Sequence, residues 1–79
     1  KSHFGHLLGA SFVVDMILAL WTLKYRDIPS TANLTQVAPG LPNDINFVHH
    51  PHAIEEHREC SLVTSRGLGG TNACAVIQA

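Results

Sequence analysis

Lys1-Ser2-His3-Phe4-Gly5-His6-Leu7-Leu8-Gly9-Ala10 opens the chain and runs directly into an apolar stretch that ends at Leu23. Between residues 7 and 23 the only charged side chain is Asp15. A helix that is apolar on nearly every face belongs in a core, so residues 7–23 are expected to form a buried helix. Gly9, Ala10 and Ser11 near its start would let another backbone approach closely. Lys24 and Arg26 sit where cations favour a helix C-terminus, and Pro29 is expected to stop the helix. The run is shorter than the roughly 18–20 uninterrupted apolar residues of a membrane span, and no span is expected.

Outward from that helix the chain becomes polar and proline-punctuated. Residues 30–42 hold Asn33, Pro39, Gly40 and Pro42 and read as an irregular surface connection. Ile45-Asn46-Phe47-Val48 is a candidate short strand. His49-His50-Pro51-His52, followed by His57, could offer imidazoles to a metal. The proline among them and the lack of an acidic or cysteine partner favour a solvated loop, and no metal site is assigned. Cys60-Ser61-Leu62-Val63-Thr64-Ser65 reads as a strand, Arg66-Gly67-Leu68-Gly69-Gly70 as a turn needing backbone freedom, and residues 71–77 as a returning strand. The small apolar side chains of this hairpin suit a sheet covered on both faces.

Composition narrows the partners. The 79 residues are 46% hydrophobic and 14% charged, with a formal net charge of −1. That charge gives no reason to expect nucleic acid or an anionic membrane surface. Cys60 and Cys74 form no CxxC pair, and no secretory signal pattern appears. Reduced, buried thiols in a cytoplasmic protein are expected. One helix with a hairpin cannot cover that helix all round, and no methionine precedes Lys1. The chain is therefore expected to be one segment of a larger body rather than an independent domain.

Two pieces can carry chemistry. Lys1 and His6 lie five residues apart across Gly5, at the edge of a rigid helix. A histidine there can be a hydrogen-bonded structural residue. It can also be a neutral imidazole that donates to a carbonyl oxygen gaining charge in a transition state. Asp15 needs a partner in so apolar a helix, and Lys1 is the natural one. The glycine-rich turn is the second piece. Taken alone it is a tight hairpin, or a set of backbone N–H groups aimed at an oxyanion. It lacks GxGxxG and the P-loop Lys-Ser/Thr, which argues against a nucleotide cradle.

Taken together, the Lys-x-x-x-Gly-His-Leu-Leu-Gly-Ala opening, Ile28-Pro29-Ser30-Thr31, Asn33-Leu34 and the closing Gly69-Gly70-Thr71-Asn72-Ala73 resemble the C-terminal end of a β-ketoacyl-acyl carrier protein synthase. The resemblance spans essentially the whole chain, in order. It implies an α/β fold, the C-terminal segment of a thiolase-like αβαβα layered domain, with a buried helix and a terminal β-hairpin. It implies decarboxylative condensation of acyl and malonyl carrier-protein thioesters, with no cofactor and no metal. The implied partners are the rest of the same subunit, a ketosynthase-family dimer partner and an acyl carrier protein.

By the same resemblance His6 matches the catalytic histidine that hydrogen-bonds the malonyl thioester carbonyl, and Lys1 matches the active-site lysine. Asp15 stands where condensing members usually carry a glutamate partnered with that lysine. Leu68 occupies the gating position whose backbone N–H helps form the oxyanion hole, beside Gly69 and Gly70. Cys60 and Cys74 match no catalytic position; the nucleophilic cysteine belongs to the preceding part of the family's chain. Two departures stand out. Arg66 replaces a phenylalanine in the hairpin, and Phe12 replaces a glycine beside the helix start, where its bulk could limit a tunnel. Arg66 and Asp15 are similar to chain-length factors, the ketosynthase-like partners in type II polyketide and polyene systems. The intact His6 and Lys1 resemble the catalytic ketosynthase instead. The expectation favours a chain-length-factor subunit, with the catalytic ketosynthase as the alternative and an unrelated small helical binding module as a distant one.

Overall fold

The computed structural model describes all residues 1–79. A 3-10 turn, Leu8–Ala10, leads straight into α1, Ser11–Tyr25. Two short strands follow, β1 at Asp27–Ile28 and β2 at His52–Ala53, and then the hairpin strands β3, Cys60–Arg66, and β4, Asn72–Gln78. The strands form two antiparallel sheets of two strands each, β1 with β2 and β3 with β4. The chain is thus α/β in composition, with one helix laid on a hairpin.

The helix ends four residues before Pro29, which corrects the expected stop. Arg26 turns left-handed at φ +55°, while its N–H still bonds to the Thr22 carbonyl at 2.8 Å. A non-glycine residue in that region breaks the helical path by itself. Its guanidinium meets His57 Nδ1 at 2.7 Å, and its carbonyl accepts Ile54 N–H at 2.8 Å. These contacts fasten the helix end to the β2 segment.

Ile45-Asn46-Phe47-Val48 is not a strand. Val48 offers a single carbonyl, accepting Thr31 N–H at 2.9 Å. The pairing that forms is instead Asp27 with Ala53 and Ile28 with His52. Two-residue strands carry no periodicity, so no sequence pattern could mark them.

The hairpin runs in unbroken register from Cys60 opposite Gln78 to Arg66 opposite Asn72. Alternation splits it into two faces. Ser61, Val63 and Ser65, with Ala75 and Ile77 across the ladder, form the face that α1 covers, and Val63 is buried at 7% exposure. The opposite face carries Leu62 and Val76, both well exposed. The expected cover on both faces is present on one. Cys60 and Cys74 lie on the open face as free, exposed thiols, opposite Gln78 and Thr64 rather than each other.

The helix likewise has one covered face and one open face. Ser11 is its only buried residue, while Val13, Ile17, Leu20 and Trp21 form an exposed apolar stripe at helical spacing. This differs from the expected burial all round, because a two-stranded hairpin can shield only one side of a cylinder. With its 3-10 turn the helix reaches 18 residues, Leu8–Tyr25, long and apolar enough by length and composition to cross a membrane. The 18 residues include the charged Asp15 and Lys24, so the apolar run itself is interrupted. Asp15 near its middle, ion-paired to Lys1, and the packing on the hairpin fit a helix laid against protein.

Candidate active site

The opening segment is a tight loop held at three points. Gly5 takes φ +85° and its N–H bonds to the Lys1 carbonyl at 2.7 Å, folding residues 1–5 back on themselves. Ser2 Oγ accepts Ala32 N–H at 2.8 Å, and His3 Nε2 donates to the Ser30 carbonyl at 2.7 Å. Lys1 Nζ reaches Asp15 Oδ2 at 2.7 Å. The Lys1–Asp15 partnership inferred from the sequence is therefore present, and it joins the loop to the second turn of α1. The side chains remain 43% and 25% exposed, so solvent screens the pair.

His6 is fixed through one ring nitrogen. Nδ1 accepts the Leu8 N–H at 2.8 Å and lies 3.3 Å from Ser11 Oγ, which itself accepts Leu7 N–H at 2.7 Å. An amide N–H only donates, so Nδ1 must be the unprotonated nitrogen of the neutral ring. The ring proton then sits on Nε2, which has no hydrogen-bond partner within the chain. Leu8 aims its N–H by adopting φ +51°. A leucine there costs about 1–2 kcal/mol. Such strain beside a polar side chain is common where geometry serves function.

His6, Lys1 and the hairpin turn share one concavity of about 440 Å³, lined also by Ser11, Arg66 and Leu68. Leu68 is fully exposed at the hairpin tip. The turn is closed by Gly67 N–H to the Thr71 carbonyl at 2.7 Å, and Gly70 takes φ +89°. So the structure brings Lys1, His6, Leu68 and Arg66 together, with Asp15 attached through Lys1. Phe12, Gly69 and Gly70 do not line this concavity. Arg66 forms no ion pair, whereas the Lys1 charge is met by Asp15.

The histidine-rich segment does not assemble a ligand set. His49 contacts the Leu34 carbonyl, His52 the His50 carbonyl, and His57 lies 3.9 Å from Glu59. No three His, Cys, Asp or Glu side chains converge on one point. Sequence reading treated Ser11 only as a small residue, and it missed the Ser2 and His3 tethers. A hydroxyl in the first turn of a helix was the available signal for Ser11. The tethers span 30 and 27 residues, and nothing local encodes them.

The sequence has clear relatives. Over 78 residues it is 36% identical to the 3-oxoacyl-[acyl-carrier-protein] synthase 2 of Vibrio cholerae, covering 99% of this chain and 18% of that protein. It is 38% identical over 78 residues to the 3-oxoacyl-[acyl-carrier-protein] synthase 1 of Buchnera aphidicola, again 99% of this chain and 18% of that protein. A non-reducing polyketide synthase of Metarhizium robertsii is 31% identical over 81 residues, 98% of this chain and 4% of its own length. The chain thus spans less than a fifth of the curated relatives it matches. No family model and no solved structure matches it.

Proposed function

Because this chain is the C-terminal portion of a β-ketoacyl synthase-family protein, we propose that the whole protein performs decarboxylative carbon–carbon bond formation on acyl and malonyl carrier-protein thioesters. The observation that carries this reading is the state of His6. With Nδ1 taken by Leu8 N–H, the neutral ring of His6, a residue that lines the concavity, keeps a free Nε2–H as a donor. In the reaction the bond from the malonyl α-carbon to its carboxylate breaks and carbon dioxide leaves. The electron pair moves onto the thioester oxygen as an enolate. The Nε2–H donates to that oxygen, strengthening as charge develops there. The α-carbon then attacks the acyl thioester, whose oxyanion the Leu68 N–H would help hold; the acyl carbon–sulfur bond breaks, the acyl group stays on the α-carbon and the thiolate that carried it departs.

Lys1 and Asp15 serve this step by pinning the loop that carries His6 to α1. The family's layered αβαβα domain would cover the exposed stripe of α1 and the outer face of the hairpin. An acyl carrier protein and a ketosynthase-family dimer partner are the proposed partners, in the cytoplasm. His6→Ala in the intact protein is expected to reduce malonyl decarboxylation about 10²- to 10³-fold. Unchanged carbon dioxide release by a folded variant would contradict the catalytic assignment.

Arg66 favours a second reading as a chain-length factor. Arg66, a residue of the concavity's lining that forms no ion pair, stands where the family resemblance leads us to expect phenylalanine. In that case this subunit supplies an interface and a tunnel wall, and its catalytic partner does the chemistry. Phe12→Ala should then lengthen the products of the assembled pair, and an unaltered product distribution would count against it.

A further inference from the structure

Ser11 is the only polar residue buried in the chain, at 6% exposure. It stands at the first residue of α1, yet its hydroxyl does not cap that helix. It points back into the opening loop, where Oγ accepts Leu7 N–H at 2.7 Å and lies 3.3 Å from His6 Nδ1. A hydroxyl has one proton to give and two lone pairs to receive. With a lone pair committed to Leu7 N–H, the Ser11 proton has one acceptor within reach, and that acceptor is His6 Nδ1.

We propose that Ser11 is a positioning residue for His6. Its O–H donates to Nδ1 alongside the Leu8 N–H, so two donors confine the proton of the neutral imidazole to Nε2. The same two donors hold the ring plane. A flip of the imidazole would present a carbon-bound hydrogen to both and leave the Ser11 hydroxyl proton and the Leu8 amide without an acceptor. Ser11 also ties Leu7 and His6 to one atom, which helps to hold Leu8 in its left-handed conformation. This deepens the reading of His6 as the donor to the thioester oxygen and rests on it.

A purely structural Ser11 would satisfy Leu7 N–H and nothing more, and its loss would lower stability without touching the imidazole. The test therefore reads the tautomer as well as turnover. In the intact protein, solid-state NMR of ¹⁵N-labelled histidine would identify the His6 signals by difference from His6→Gln. The wild type should show the Nε2–H tautomer alone. Ser11→Ala should show a tautomer mixture and malonyl decarboxylation slowed by about fivefold to tenfold in kcat, with KM little changed. Ser11→Thr, which keeps the hydroxyl, should restore both. An Nδ1–H tautomer in the wild type overturns the proposal, and so does a folded Ser11→Ala with a pure Nε2–H signal and wild-type kcat. If Ser11→Ala does not fold, the wild-type tautomer and Ser11→Thr decide. Full decarboxylation by His6→Gln, by contrast, removes the functional reading while the tautomer measurement still stands or falls alone.

Discussion

Expressed alone, residues 1–79 should not fold cooperatively. Their accessible surface is 6358 Å². A folded monomer of 8.6 kDa exposes about 4,700 Å² by the usual scaling with mass. The excess is about 1,700 Å², concentrated where large apolar side chains face outward: Ile17 at 58%, Leu62 at 64% and Val76 at 71%. If somewhat over half of it is apolar, as on protein surfaces generally, the missing burial is worth roughly 20 kcal/mol at about 25 cal/mol per Å². That exceeds the 5–15 kcal/mol or so by which whole domains are stable. Far-UV circular dichroism during a thermal ramp, with sedimentation to report mass, reads the outcome. Weak helicity, a gradual melt and concentration-dependent association are expected. A sharp two-state melt of a monomer would refute the reasoning and make the chain a domain in its own right.

Three other outcomes follow from named contacts. Lys1→Met and Asp15→Asn, combined in a double-mutant cycle by chemical denaturation of the intact protein, should show a coupling of about 1 kcal/mol, the upper end for a half-exposed pair. A coupling indistinguishable from zero would mean that the 2.7 Å contact does not order the loop. His3→Leu removes the tether to the Ser30 carbonyl and should cost about 1 kcal/mol, with His3→Gln recovering most of it; equal losses for both would refute the hydrogen bond as the cause. Arg66→Phe tests the two functional readings in one variant. Faster decarboxylation by this subunit supports an active site tempered by the guanidinium, while no decarboxylation before or after the change supports the chain-length factor.

The parts of this molecule that were legible in its sequence are those with local signals. The helix announces itself by apolar density over residues 7–23, and the hairpin by two apolar runs around a glycine-rich turn. The Lys1–Asp15 pair was legible because a lone carboxylate in an apolar helix must find a cation. The helix end was misplaced because Arg26 stops it through backbone conformation rather than through Pro29. The β1–β2 pairing was invisible because two residues on each side carry no alternation. Burial of α1 was overread, since composition reports how apolar a helix is and not how much of its cover lies within the chain. The state of His6 depends on backbone torsions at Leu8 and on a buried hydroxyl. Neither of those is written in residue types.

The most direct test of the account is the structure of the intact protein with a non-decarboxylating malonyl thioester analogue bound. His6 Nε2 should lie about 2.7–3.1 Å from the analogue's thioester oxygen, with Nδ1 still on Leu8 N–H. A thioester oxygen held elsewhere, with Nε2 bonded to protein or facing away, would contradict the assignment of His6 as the donor that stabilises the enolate.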